Sequence, residues 1–381
     1  MAALTGALNN PHLPHSQPCF SVNSSELEQL RSKIDDIDRE VTRLLNDRVR
    51  SSVAIGRIKN EQGLDPYDPA REEEVFQKLE ELNQGGLLES VTLRTIYREV
   101  ISSSIALQKE LRIGYLGPEA TFTHQAAIKN FGSSLSYKPL ADIPDVFSEV
   151  ELSQCDYGVV PVENSNEGSV NRSLDLLVDT ELTIIAQVYL KIEHCLLSSS
   201  SLDEVQTVSS KDQALAQCGE WIRRNLPTAR LENATSTAEA VRSAKGALGT
   251  AAIAGALAGR LYDVPCLAEG IQDRKDNLTR FLVVGRNSLD RREAIEYKTS
   301  LVFSLTDEVG ALQQGLRTFG DRGINLCKIE SRPSRLKPWD YYFFVDFLGH
   351  RDDEPASEAI VELEKVCPFV KCLGSYPNTL S

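Results

Sequence analysis

Three cations, Arg31, Arg48 and Lys59, lie in one stretch of the chain at spacings that suit the capture of a small dianion. On a helix, Arg48 and Lys59 are about 20° out of phase and roughly 16 Å apart along the axis, so two long side chains could converge between them. Further along, Asp68, Arg71 and Glu72, then Ser104 and Gln108, add carboxylates and hydrogen-bonding groups, the last two one helical turn apart. Singly, each has an ordinary reading. Arg31 and Lys59 would be solvated charges, Asp68 a helix cap, Arg71 and Glu72 a surface pair, and Ser104 a tolerated small residue. Jointly they would form a buried polar cluster that is costly unless a ligand occupies it. The chemistry on offer is binding, orientation and charge stabilisation of a doubly negative molecule.

The elements that must position these groups are helices. Leu27, Leu30, Ile34, Ile37, Val41 and Leu44 alternate by three and four, which predicts one long helix over 25–62 with an apolar seam. Arg48 and Ser51 interrupt the seam before Ile55 and Ile58 restore it. Ser25 with Glu28 reads as a capping box, and Gly63 followed by Pro66 as the stop. Such a rod, roughly 55 Å long, is too long for the segment that follows to cover, so a homodimer or higher homo-oligomer is expected. Asp68 and Pro69 open a second helix to about Leu82, and a third is expected over 89–110.

Composition narrows the class of function. The 381 residues suffice for two or three domains. A net charge of −14 without a basic block argues against nucleic-acid and anionic-membrane partners. Eight scattered cysteines without a C-x-x-C pair, and five dispersed histidines, predict a cytoplasmic protein with reduced thiols and no metal centre. No apolar window is long enough to span a membrane. Residues 1–24 carry three prolines and no Lys or Arg, which fits a disordered leader better than a targeting peptide.

The set Arg31, Arg48, Lys59, Asp68, Arg71, Glu72, Ser104 and Gln108 resembles, in type and spacing, the active site of the all-helical chorismate mutases. The resemblance implies a site built by long helices of two protomers. Chorismate would rearrange to prephenate there without a nucleophile. Arg48, and Arg31 from the second chain, would hold its carboxylates, and Lys59 and Gln108 would bond the ether oxygen. Asp68 and Glu72 would orient the ring hydroxyl, with Arg71 and Ser104 in support.

From Arg112 strands and helices alternate, which predicts two α/β lobes with a cleft over 112–287. Glu163-Asn164-Ser165-Asn166-Glu167-Gly168 follows a buried strand, where α/β folds bind ligands. The small-residue stretch 246–255 lacks a phosphate-loop spacing and reads as close helix packing, with a short strand near Leu248. A single helix is expected over 211–225. The loop at 117–124, the segment 160–168 and Asn277-Leu278-Thr279-Arg280-Phe281 are similar to the prephenate dehydratase family. The resemblance implies Thr279 as hydrogen-bond donor to the leaving hydroxyl and Glu163 as a possible acid. Asn164, Ser210, Gln217, Arg280 and Phe281 would line the cleft. Lys211-Asp212 stand where that family commonly has His-Pro, and Ala234 replaces a Glu found in some members. Arogenate, the amino analogue of prephenate, therefore stays open as the substrate.

Residues 298–376 read as a ferredoxin-like βαββαβ unit. Gly310-Ala311-Leu312, and Glu330-Ser331-Arg332-Pro333 after its second strand, resemble the amino-acid-binding ACT domain. This implies phenylalanine as effector, its carboxylate held at a helix N-terminus. The whole is thus expected to be a multidomain chain: an all-α three-helix mutase domain, a two-lobed α/β dehydratase domain and an α+β ACT domain. That order resembles the bifunctional bacterial chorismate mutase/prephenate dehydratases, which need no cofactor. A non-catalytic amino-acid sensor is the rival reading from another class.

Overall fold

The computed structural model describes residues 24–334 and 340–379; the expected leader, apart from Ser24, lies outside them. The chain divides into two compact units, residues 1–51 and 52–381, and α1 (Ser24–Glu61) contributes residues to both. α1 begins at Ser24, so Ser25 lies inside the helix rather than capping it as expected. Leu27, Leu30, Ile34, Ile37, Val41 and Leu44 remain 40–55% exposed. Ion pairs between Arg43 and both Glu40 and Asp47 run along the same helix. Gly63 ends α1 with a φ of +69°, a conformation glycine adopts without a Cβ penalty.

Within residues 52–381, α2 (Pro69–Leu82) is capped by Asp68, whose side chain accepts from the Arg71 amide at 2.9 Å. α3 (Ser90–Ala106) stops four residues before the expected end, and Gln108 follows in a turn. Ile101 and Ile105 of α3 join Tyr67, Phe76, Phe131 and Tyr157 in one apolar core, so the helical region and the first α/β lobe fold around shared side chains.

That lobe contains β1 (Arg112–Leu116), α4 (Phe122–Phe131), β2 (Ser136–Leu140), α5 (Ile143–Glu151), β3 (Tyr157–Asn164), β4 (Gly168–Ser169), α6 (Asn171–Asp179) and β5 (Thr183–Lys191). The chain crosses to a second lobe made of β6 (Cys195–Ser198), β7 (Thr207–Ser210), α7 (Asp212–Gln217), α8 (Gly219–Asn225), β8 (Arg230–Asn233), α9 (Thr237–Ala244), β9 (Thr250–Ala254), α10 (Ala256–Tyr262) and β10 (Cys266–Ala268). It returns through β11 (Leu278–Gly285), which inserts antiparallel between β3 and β5 in the order β2-β1-β3-β11-β5. The second sheet runs β10-β6-β9-β7-β8.

Two expectations fail here. The single helix over 211–225 is two short helices meeting at Cys218. The small-residue stretch 246–255 is mainly the central strand β9, whose fully buried alanines let α9 approach the sheet closely. Small side chains favour close approach in either setting, so composition alone did not separate helix from strand.

The C-terminal unit has the expected βαββαβ order: β12 (Tyr297–Ser304), α11 (Ala311–Gly320), β13 (Leu326–Pro333), β14 (Tyr341–Leu348), α12 (Glu354–Val366) and β15 (Phe369–Pro377), with sheet order β13-β14-β12-β15. β15 lies directly on β5. A Cβ at Gly374 would collide with the Ile184 backbone, so glycine is what allows the two sheets to touch.

Candidate active sites

In the helical region, Lys59 and Gln108 line one cavity of about 510 Å³, together with Val53, Gly56, Asn60 and Leu64. Lys59 Nζ donates to the carbonyls of Asp65 and Pro66 at 2.9 and 3.1 Å. Burial pushes its ammonium pKa down, only partly offset by Asp68. Gln108 donates its amide to Ser52 Oγ at 2.7 Å, and its carbonyl oxygen is buried without a partner among the described residues. Gly56 makes room for this side chain, since a Cβ there would stand 2.5 Å from Gln108 Cγ.

The other predicted mutase residues are not gathered on that cavity. Asp68 binds Arg292 at 2.6 Å, Arg71 binds Glu74 at 2.7 Å, and Ser104 Oγ donates to the Val100 carbonyl at 2.7 Å. Glu72 is buried and takes Arg98 at 2.5 Å; burial nevertheless raises its carboxyl above the ordinary value. The expected single polar interior is therefore dispersed here, because each charge has an opposite charge within its own short reach. On residues 24–51, Arg31 is exposed and Arg48 half-buried.

Between the α/β lobes, a chain of side-chain amides is oriented from one end. The backbone amides of Asn166 and Glu167 donate to Asn164 Oδ1 at 2.9 and 3.2 Å, which fixes that side chain's flip. Its Nδ2 must then donate, and it reaches Thr279 Oγ1 and Asn277 Oδ1, both at 2.7 Å. Asn277 in turn donates to Gln217 Oε1 at 3.3 Å, and Gln217 Nε2 donates to Glu167 at 2.9 Å. Gln217 Oε1 also faces His194 Nε2 at 2.8 Å, so His194 carries its proton on Nε2. Burial lowers the His194 pKa and keeps the ring neutral.

The consequence at Thr279 is chemical. Its oxygen lone pair is held by Asn164, while its proton enters no hydrogen bond among the described residues and remains available for donation. Ser210 ends β7 fully buried, with its hydroxyl given to the Ile253 carbonyl at 2.6 Å. Phe281 is a core residue, 2% exposed.

Glu163 and Arg280, predicted for the same cleft, are not brought beside Thr279. Neighbours along a strand point to opposite faces, so Arg280 leaves Thr279 behind and pairs with Asp346 at 2.6 Å. Glu163, opposite Arg280 in the ladder, binds Lys328 at 2.7 Å. Conversely, sequence reasoning passed over His194, and named Asn277 and Glu167 only within their motif segments, with no role. The available signal was topological: His194 and Asn277 sit in the two crossovers that join the lobes, and crossovers of a two-lobed fold border its cleft.

In the C-terminal unit Gly310 precedes α11 with a φ of +88°, and Ala311 and Leu312 begin that helix. Glu330-Ser331-Arg332-Pro333 is the end of β13 rather than a loop after it, because its ladder with β14 continues to Pro333–Tyr341. Arg332 binds Asp175 of α6 at 3.0 Å.

A helical region, a two-lobed α/β unit whose lobes are joined by a chain of side-chain amides and a ferredoxin-like unit define a modular multidomain protein. Residues 30–109 match the family model for chorismate mutase type II, 113–289 that for prephenate dehydratase and 299–365 that for the ACT domain. The chain is 45% identical to the bifunctional chorismate mutase/prephenate dehydratase of Aquifex aeolicus over 93% of its own length and 99% of that protein. The Neisseria gonorrhoeae protein of the same name is 43% identical over 92% and 96%. Among solved structures, prephenate dehydratase from Arthrobacter aurescens in complex with L-Phe matches with a TM-score of 0.64 at 32% identity, covering 71% of this chain and 93% of that one. The chain belongs to the bifunctional chorismate mutase/prephenate dehydratase family.

Proposed function

We propose that this chain rearranges chorismate to prephenate and then converts prephenate to phenylpyruvate, under feedback control by phenylalanine. The observation that carries the second step is the hydrogen-bonded pair Thr279–Asn164. In that step the ring C–O bond breaks as the departing hydroxide, hydrogen-bonded by Thr279, takes a proton from solvent to leave as water, and the carboxylate leaves as carbon dioxide. Its electron pair aromatises the ring. The hydroxyl is a poor leaving group without a hydrogen-bond donor, and Thr279 has an uncommitted proton. Asn164 and Gln217 position the substrate, while buried Ser210 fixes the end of β7 through its bond to the Ile253 carbonyl. Neutral His194 and Asn277 keep Gln217 oriented.

The mutase step is pericyclic and needs conformational restraint with stabilisation of separating charge. Lys59 and Gln108, on one cavity, serve the ether oxygen. Arg48, with Arg31 from a second copy, holds the carboxylates. The exposed seam of α1 supports a homodimer, since covering each half-exposed Leu, Ile or Val contributes about 1 kcal/mol. Light scattering should give at least twice the chain mass; a monomer would remove this part.

Mutase activity requires Lys59 in its charged form. Burial lowers its pKa, so activity is lost as pH rises through a value below that of free lysine. A mutase pH profile showing no alkaline limb below the ordinary lysine value would contradict this role.

Phenylalanine binds the C-terminal unit through the Gly310-Ala311-Leu312 helix start and the Glu330–Pro333 segment, and calorimetry on the whole protein tests it. No helix among the described residues is long and apolar enough to cross a membrane; the seven cysteines among those residues are free thiols, which supports a cytoplasmic location.

The deciding experiment supplies chorismate, prephenate and arogenate separately to purified protein and identifies products by mass spectrometry. Phenylpyruvate is expected from the first two. Phenylalanine formed from arogenate alone would shift the assignment to that substrate, and no consumption of any would leave a sensor.

A further inference from the structure

The face of β3 and β11 opposite Thr279 and Asn164 carries a buried charge network that reaches into the C-terminal sheet. Arg280, 6% exposed, donates to Asp346 Oδ2 at 2.6 Å and to the Tyr376 hydroxyl at 2.7 Å. The second oxygen of Asp346 accepts from Ser300 Oγ at 2.5 Å, and Ser300 and Tyr376 are bonded to each other at 2.6 Å. Glu163 lies 3.9 Å from Arg280 and takes Lys328 at 2.7 Å. All four strands of the C-terminal sheet contribute: Ser300 from β12, Lys328 from β13, Asp346 from β14 and Tyr376 from β15.

We propose that Asp346 and Lys328 are positioning residues for the dehydration step, acting through Arg280 and Glu163 on the strand ends that carry Thr279 and Asn164. The ladder explains why such support is needed. Register shifts between Arg280 and Phe281, which pairs with Pro161, so a bulge separates the last two pairs, Arg280–Glu163 and Thr279–Asn164, from the regular part of the β3–β11 ladder. A bulge bends its strand and breaks the propagation of register. The backbone of the two terminal pairs is also laddered to β5 and β4, and the charge pairs add side-chain contacts that fix their position one peptide bond from the reacting groups. A buried ion pair is a weak source of net stability and is better suited to fixing one arrangement. Lys328 also stands two residues before Glu330 on β13, so a displacement of that strand is felt at Glu163.

This inference rests on the dehydratase reading, and wild-type turnover of prephenate, measured first, tests that reading separately. In full-length Asp346→Asn the Arg280 guanidinium loses its counter-charge and shifts. Dehydratase kcat is expected to fall on the order of 10- to 100-fold, the scale of a small misplacement of reacting groups, with KM within about threefold of wild type. Mutase turnover in the same preparation stays at the wild-type value and reports a folded chain. Arg280→Met is at least as damaging, whereas Arg280→Met combined with Asp346→Leu recovers part of the lost kcat, because no unpaired charge remains. A purely structural role would lower thermal stability and leave kcat at permissive temperature alone. Wild-type kcat in Asp346→Asn overturns the proposal whatever happens to the melting temperature. Should Asp346→Asn fail to fold, Lys328→Met decides: a lowered dehydratase kcat supports the proposal and an unchanged one overturns it.

Discussion

Replacing Thr279 with valine is expected to lower prephenate turnover by about 10² to 10³-fold, the range for loss of one preorganised hydrogen-bond donor to a developing charge, while chorismate rearrangement in the same protein is untouched. Valine keeps the branched shape of threonine and removes only the hydroxyl. Thr279 is 8% exposed in β11, between β3 and β5, so truncation to alanine would mix loss of packing with loss of chemistry. The substitution also leaves Asn164 Nδ2 with Asn277 Oδ1 as its remaining partner, so the amide chain persists while its terminal donor is gone. The effect should fall on kcat rather than KM, since the hydroxyl works on charge that develops only as the C–O bond breaks. Steady-state kinetics on prephenate checks this, and full turnover in Thr279→Val would remove Thr279 from the mechanism.

Lys59→Ala is expected to reduce mutase turnover by roughly 10² to 10³-fold, as for loss of one preorganised donor to a developing oxyanion, without affecting the dehydratase. Lys59 is held by two carbonyls of the 65–66 turn, so its ammonium is placed before any substrate arrives. Gln108 faces the same cavity and would retain part of the stabilisation, which sets the lower end of the range. Chorismate consumption, followed alongside conversion of supplied prephenate, separates the two activities. Both falling together in a folded variant would show that they are not modular.

Much of this architecture was legible residue by residue. The three-four alternation from Leu27 to Leu44 specified a long helix with an apolar seam, and the protein has that helix with the seam exposed. The βαββαβ order after Thr299 was equally plain, because strand and helix periods differ and each is local. The small-residue stretch at 246–255 misled because alanine and glycine carry no period. Arg280 was placed in the cleft although adjacent residues of a strand must diverge; the period-two rule alone would have separated it from Thr279.

What the sequence by itself determined, then, is the set of elements, their order and the alternation of faces along each. Tertiary structure decided which groups meet: Asn164 with Thr279 across 115 positions, Arg280 with Asp346 across 66, and His194 beneath Gln217. The physical reason is range. Periodicity and capping arise from forces between residues a few positions apart and so are written into short stretches of chain. Antiparallel pairing, lobe crossing and domain docking instead join residues distant along the chain, whose complementarity appears only when both surfaces exist.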